Sequence, residues 1–148
     1  MRTRIKICGI TRVEDGLAAA QAGADAIGLV FYPPSKRAIA PAVAAEIATA
    51  MPPFVQRVAL FLDATAQDIE MVLTRVEIDL LQFHGREAPA DCAGWDRPYI
   101  KAIGVGDIRD SQEIAARCAP YVAARGILLD GHAWGEAGGG GQRFDWSR

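Results

Sequence analysis

Six side chains able to move protons or grip anions stand where apolar runs give out: Cys8, Arg37, Asp63, His84, Lys101 and Asp130. Cys8 closes the alternating stretch Arg4-Ile5-Lys6-Ile7-Cys8 and is followed at once by Gly9. A free thiol titrates near ~8.5, and a cationic neighbour or a helix N-terminus lowers that value. A cysteine so placed can take a proton from carbon; its other fate is that of a small buried hydrophobe. Asp130 ends an otherwise apolar run and either neutralises a lysine or acts on a ligand. A carboxylic acid facing a thiolate makes an acid/base pair once their surroundings separate their pKa values. Arg37 follows the rigid pair Pro33-Pro34, and its guanidinium suits two-point contact with a carboxylate or phosphate, or else stands solvated. His84 precedes Gly85 and is either a turn residue or a ligand contact.

Strict alternation places Arg4, Lys6 and Cys8 on one face of a strand and turns Ile5 and Ile7 toward helices. Inward polar groups in a parallel sheet need partners. Lys6, Gln82, Lys101 and Asp130 are expected to satisfy one another, with a buried ion-pair network as the purely structural outcome for the lysines. The run Gly138-Gly139-Gly140-Gly141 lacks the lysine-serine/threonine ending of a nucleotide-binding loop. It reads as a flexible linker or, after a barrel strand, as a lid or a cradle of backbone donors.

These residues require elements to hold them. Thr11 is expected to cap a helix over Val13–Gln21, with Glu14 completing a capping box, and Gly23 to end it. The apolar run Ala26–Phe31 predicts a strand buried on both faces. Pro41 predicts a helix start, and Gln56–Leu62 a third strand. Thr65 or Asp63 is expected to cap a helix through Arg75, and Ile78–Phe83 to form a fourth strand. A short helical segment near Pro89–Cys92, strands at Tyr99–Gly104 and Arg125–Asp130, and a helix over Ser111–Cys118 complete the pattern. Strands alternating with helices roughly every 20–25 residues describe repeated βα units on a parallel sheet. An open doubly wound sheet and a (β/α)₈ TIM barrel both fit. The single glycine of the first βα turn lacks a dinucleotide fingerprint and favours the barrel.

A full barrel takes about 250 residues, rarely fewer than 200, against 148 here. The expectation is one partial barrel domain over residues 1–148, covering about strands 1–6 and lacking the last βα units. Its first and sixth strands would be open edges through which copies could self-associate. Half of the residues are apolar and the net charge is −2, with no basic face for nucleic acid. No apolar run is long enough for a membrane span. The cysteines Cys8, Cys92 and Cys118 are widely spaced, which argues against a metal site or a disulfide framework and for a reducing, cytoplasmic setting.

Taken in order, KICGIT at Lys6–Thr11, GLVFYPPSKR at Gly28–Arg37, LLQFHG at Leu80–Gly85, IKAI at Ile100–Ile103 and LLLDGH followed by GGGGQRFDW closely resemble the phosphoribosylanthranilate isomerase family of tryptophan biosynthesis. The resemblance implies a (β/α)₈ barrel and an Amadori rearrangement of N-(5-phosphoribosyl)anthranilate to the 1-deoxyribulose 5-phosphate. It implies neither metal nor organic cofactor, and a small phosphosugar-anthranilate substrate as the partner. It assigns Asp130 as the acid that protonates the ribose ring oxygen and Cys8 as the base that removes the C2 proton. Arg37 would hold the anthranilate carboxylate, while Gln82, His84, Gly138 and Gly139 would line the substrate site. The family binds phosphate after strands seven and eight, so the chain alone is expected to be nearly inactive. The alternative is a truncated scaffold, or a fragment that pairs with a complementary chain.

Overall fold

The computed structural model describes residues 2–108 and 110–132. Among the described residues eleven elements alternate: β1 (Lys6–Cys8), α1 (Val13–Gln21), β2 (Ala26–Val30), α2 (Pro41–Ala50), β3 (Gln56–Phe61), α3 (Ala66–Arg75), β4 (Leu80–Phe83), α4 (Pro89–Cys92), β5 (Tyr99–Gly104), α5 (Ser111–Cys118) and β6 (Gly126–Asp130). All strands are parallel and neighbour one another in the order β1-β2-β3-β4-β5-β6. A doubly wound sheet reverses its strand order part-way; an unbroken sequential order is barrel winding. The fold is a half-barrel of the (β/α)₈ type.

Local chemistry explains most element ends. Gly23 takes φ +93° and donates to the Ala20 carbonyl while Ala24 donates to Ala19, closing α1 with a left-handed turn. Pro41 opens α2, where its missing N–H costs nothing. The Thr65 hydroxyl accepts from the Asp68 amide at 3.2 Å and caps α3. Thr11 does not cap α1. The N-cap position falls on Arg12, whose side chain pairs with Asp15 one turn on.

The core lies between the sheet and its helices. Ile27 and Leu29 of β2, Phe61 of β3 and Leu81 of β4 are fully buried there. Phe31, Phe61, Phe83 and Tyr99 form a row across the strands, with successive ring centroids 5.6, 6.2 and 5.8 Å apart. Among the described residues, β1 and β6 are the two edges. Alternation predicts helices over Ile5 and Ile7; among the described residues they are 46 % and 43 % exposed, and Leu129 of β6 is 45 % exposed. Among the described residues, no helix is long and apolar enough to cross a membrane.

Candidate active site

A pocket of about 590 Å³ opens at the carboxyl ends of the strands. Cys8, Arg37, Gln82, His84 and Asp130 all line it, together with Lys6. Five of the residues expected to bind or react are therefore brought to one cavity. Gly138 and Gly139 lie outside the described residues.

β1 delivers the thiol, and a glycine makes room for it. A Cβ on Gly28 would stand 2.7 Å from Cys8 Sγ and 3.1 Å from Lys6 Nζ. Thiol and ammonium therefore share one glycine floor. Lys6 has no hydrogen-bond or ion-pair partner among the described residues, so its charge is available to a thiolate or to a ligand. Gly9 plays the matching part for Arg37. It sits at φ +88°, and a side chain there would collide with Arg37 Cδ. The guanidinium lies across the turn with Nη1 donating to the Cys8 carbonyl at 3.2 Å, and its remaining donors are free to take a planar anion.

β4 and β6 deliver the carboxyl and its escorts. His84 Nε2 stands 2.8 Å from Asp130 Oδ2, and His84 Nδ1 stands 3.0 Å from Gln82 Nε2. On the other side His132 approaches Asp130 Oδ1 through both Nδ1 and its main-chain N–H. The chain has two histidines, and both bracket one carboxylate. His132 went unmarked in the sequence, although its position two residues past an aspartate that ends a strand was the available signal. Burial, against the pull of Asp130, holds His84 below the ordinary imidazole value. Burial alone would raise the Asp130 carboxyl. The hydrogen bond from His132 and the charges of His84 and His132 outweigh it, and the carboxyl lies below its ordinary value.

Lys101 is not part of this site. It pairs in register with Phe83, on the helix side of the sheet, is fully buried and meets Glu87 Oε2 at 3.2 Å. The expected network of Lys6, Gln82, Lys101 and Asp130 fails because register turns Lys101 away from the pocket that holds the other three. Asp63 sits with Glu87 near the same loop, accepting from the Arg86 amide at 2.6 Å. The other two cysteines are chemically quiet. Burial pushes the Cys92 thiol up to about 12 and raises that of Cys118. Among the described residues no cluster of histidine, cysteine or acidic groups could hold a metal ion.

A family model described as N-(5'phosphoribosyl)anthranilate (PRA) isomerase matches residues 5–148. The chain belongs to that family. It is 57 % identical over 144 residues to the N-(5'-phosphoribosyl)anthranilate isomerase of Azotobacter vinelandii, a match covering 97 % of this chain and 68 % of the relative. The phosphoribosyl anthranilate isomerase of Thermotoga maritima superposes with a TM-score of 0.84 at 40 % identity, covering 99 % of this chain and 69 % of that one. Another isomerase structure is in complex with reduced 1-(o-carboxyphenylamino)-1-deoxyribulose 5-phosphate. It has a TM-score of 0.78 and 39 % identity, and covers 87 % of this chain and 65 % of its own. The chain thus spans about two thirds of the isomerases it resembles. The pocket belongs to an intramolecular isomerase of the tryptophan pathway, and relatives so named across nearly the whole chain weigh against the scaffold alternative.

Proposed function

We propose that the pocket carries the acid–base step of N-(5'-phosphoribosyl)anthranilate isomerisation, with Asp130 as acid, Cys8 as base and Arg37 as the grip on the anthranilate carboxylate. The observation that carries this reading is a shared cavity: a thiol from β1 and a carboxyl from β6 face the same space, with a guanidinium at its rim. Asp130 protonates the ring oxygen as the aniline nitrogen forms a C=N bond to C1 and the C1–O bond breaks. Cys8 then takes the C2 proton, giving an enolamine that tautomerises to the ketone. Lys6 lies beside the thiol and supplies countercharge to its thiolate. His84 and Gln82 belong to the substrate pocket wall.

The relative solved with a reduced product analogue supports a phosphosugar ligand of this shape for the present chain. A cytoplasmic setting goes with a pathway enzyme that keeps three unpaired cysteines. Self-association through the exposed edges β1 and β6 is part of the same reading. The test is turnover of purified chain on N-(5'-phosphoribosyl)anthranilate, alone and with Cys8→Ala. Loss of rate in the variant with ligand binding retained supports the assignment. Equal rates for both would overturn it.

A further inference from the structure

One buried polar atom in the pocket is left idle by these assignments. Gln82 Oε1 is shut away with no hydrogen-bond donor, while Nε2 of the same amide lies 3.0 Å from His84 Nδ1. Beyond it, His84 Nε2 meets Asp130 Oδ2. In this row each hydrogen position is dictated by the next group. With the amide NH₂ toward Nδ1, that nitrogen must accept. The single proton of a neutral imidazole then sits on Nε2 and points at an ionised Asp130. No acidic proton fits on Oδ2, because an O–H and an N–H would meet head to head. Oδ1 is met by both the main-chain N–H and the ring Nδ1 of His132, and with that ring donating from Nδ1 it too holds no acidic proton.

Turning the amide over reverses the row. Oε1 then accepts from Nδ1–H, Nε2 becomes an acceptor, and Asp130 can hold a proton on Oδ2. We propose that Gln82 is a positioning residue that sets the protonation of Asp130. Its amide turns between a discharged row, in which His84 donates to a carboxylate, and a charged row, in which a carboxylic acid donates to His84. This rests on the assignment of Asp130 as the acid. In the charged row, the Asp130 O–H bond breaks as the ring oxygen takes the proton and the electron pair of the C1–O bond. The resulting carboxylate faces the bare lone pair of Nε2. A proton from water restores the row, shared between Oδ2 and Nε2, because Oε1 keeps Nδ1–H in place. The formerly idle oxygen of Gln82 thereby holds the acid ready for the next turnover.

Other charges bear on this row. Lys6 and Cys8 face it from β1, Lys36 and Arg37 from the loop after β2, and His132 from beyond β6. Lys101 and Glu87 act on His84 from across the sheet. None of these reports which atom of Gln82 faces Nδ1, so the test reads that directly. ¹⁵N NMR of histidine-labelled full chain gives two imidazoles, and a His132→Gln variant identifies the signals of His84. Gln82→Glu offers Nδ1 only oxygens, and Gln82→Met offers neither donor nor competent acceptor. In Gln82→Glu, His84 is expected in the Nδ1–H form, with the protonation midpoint of the row raised by about one pH unit or more. In Gln82→Met, Nδ1–H is lost and the midpoint falls. The alkaline limb of kcat/KM moves in the same opposite senses, with KM little changed. A packing role would lower the thermal stability of both variants and leave tautomer and limb alone. Midpoints that stay put in both variants, or tautomers that match wild type, overturn the proposal. The NMR signals need no turnover. Expected tautomers in a chain whose Cys8→Ala variant turns over as fast as wild type therefore sink the acid–base assignment alone, while unmoved tautomers beside a rate lost in Cys8→Ala sink the amide switch alone.

Discussion

The two faces of β4 and β5 carry two clusters of polar groups that could hardly be handled more differently. On the helix side the Lys101 ammonium donates to the carbonyls of Phe83, Gly85 and Ala102 at 2.8–3.2 Å and pairs with Glu87. The Glu87 carboxylate accepts from the Asp63 and Gly85 amides, and its carbonyl accepts from Tyr121. Every charge there is matched, and the outcome is a pinned loop. On the pocket side Gln82 strands an oxygen and Lys6 has no partner among the described residues. Asp130, meanwhile, is gripped by two titratable rings. The two clusters lie on either side of one sheet. Among the described residues the Tyr99 hydroxyl on the helix side is also buried without a partner, so the pocket side is set apart by the unpaired Lys6 charge and the two rings on Asp130 together with the idle Gln82 oxygen.

The comparison breaks most sharply at the reacting groups. Cys8→Ala and Asp130→Asn should each lower the isomerase rate by about 10²–10⁴-fold, while the urea midpoint of Cys8→Ala stays near wild type. Steady-state kinetics paired with denaturant titration checks both halves. The mirror case is Glu87→Ala, which takes away the carboxylate that faces the buried Lys101 ammonium. It should cost ~3–5 kcal/mol of stability, read by urea unfolding, with kcat preserved in whatever fraction stays folded. If Glu87→Ala proved harmless to folding, the contrast between the faces would collapse.

A smaller effect comes from the floor rather than the groups. Gly28→Ala puts a methyl 2.7 Å from Cys8 Sγ and must displace the thiol. Misplacement on the scale of ~1 Å costs on the order of 10²-fold, so kcat should drop by up to that factor with KM nearly unchanged. Wild-type kinetics in this variant would show that the thiol position is not critical.

The smallest effect is on pH. His84 and Asp130 both have lowered values in the folded chain, so the unfolded chain binds more protons and stability rises with pH. The His84 part is complete above the ordinary imidazole value and is lost as pH falls below it. The Asp130 part is present above the ordinary carboxylate value and is lost as pH falls through the lower folded one. Chemical unfolding from pH 8 to pH 3 should show falling stability in both windows. His84→Gln should remove the upper window and narrow the lower one, because His84 is among the groups that hold the Asp130 carboxyl down.

Much of this was legible in residue order. The α1, α4, β5 and α5 limits agree with the structure and Pro41 marks the start of α2, because proline placement, apolar runs and capping residues act within a few positions. The Thr65 cap was readable for the same reason. Thr11 misled because a capping residue is recognised by type, while the helix starts one position later, with Arg12 at the N-cap. Lys101 misled for a deeper reason. A polar residue in Tyr99–Gly104 was taken to mark the pocket face, but apolar residues occupy both parities of that strand. Its phase is set by pairing with Phe83.

By itself, then, the order of residues determined a parallel βα array and placed a thiol, a guanidinium and a carboxyl at strand ends, since these follow from short-range geometry. Tertiary structure alone decided that β1 and β6 bring Cys8 and Asp130 to one cavity. It also decided that both histidines close on the same carboxylate and that Lys101 answers to Glu87. The reason is cross-strand register. Alternation tells which residues share a face within a strand, but hydrogen bonding to the neighbouring strand settles which way that face points.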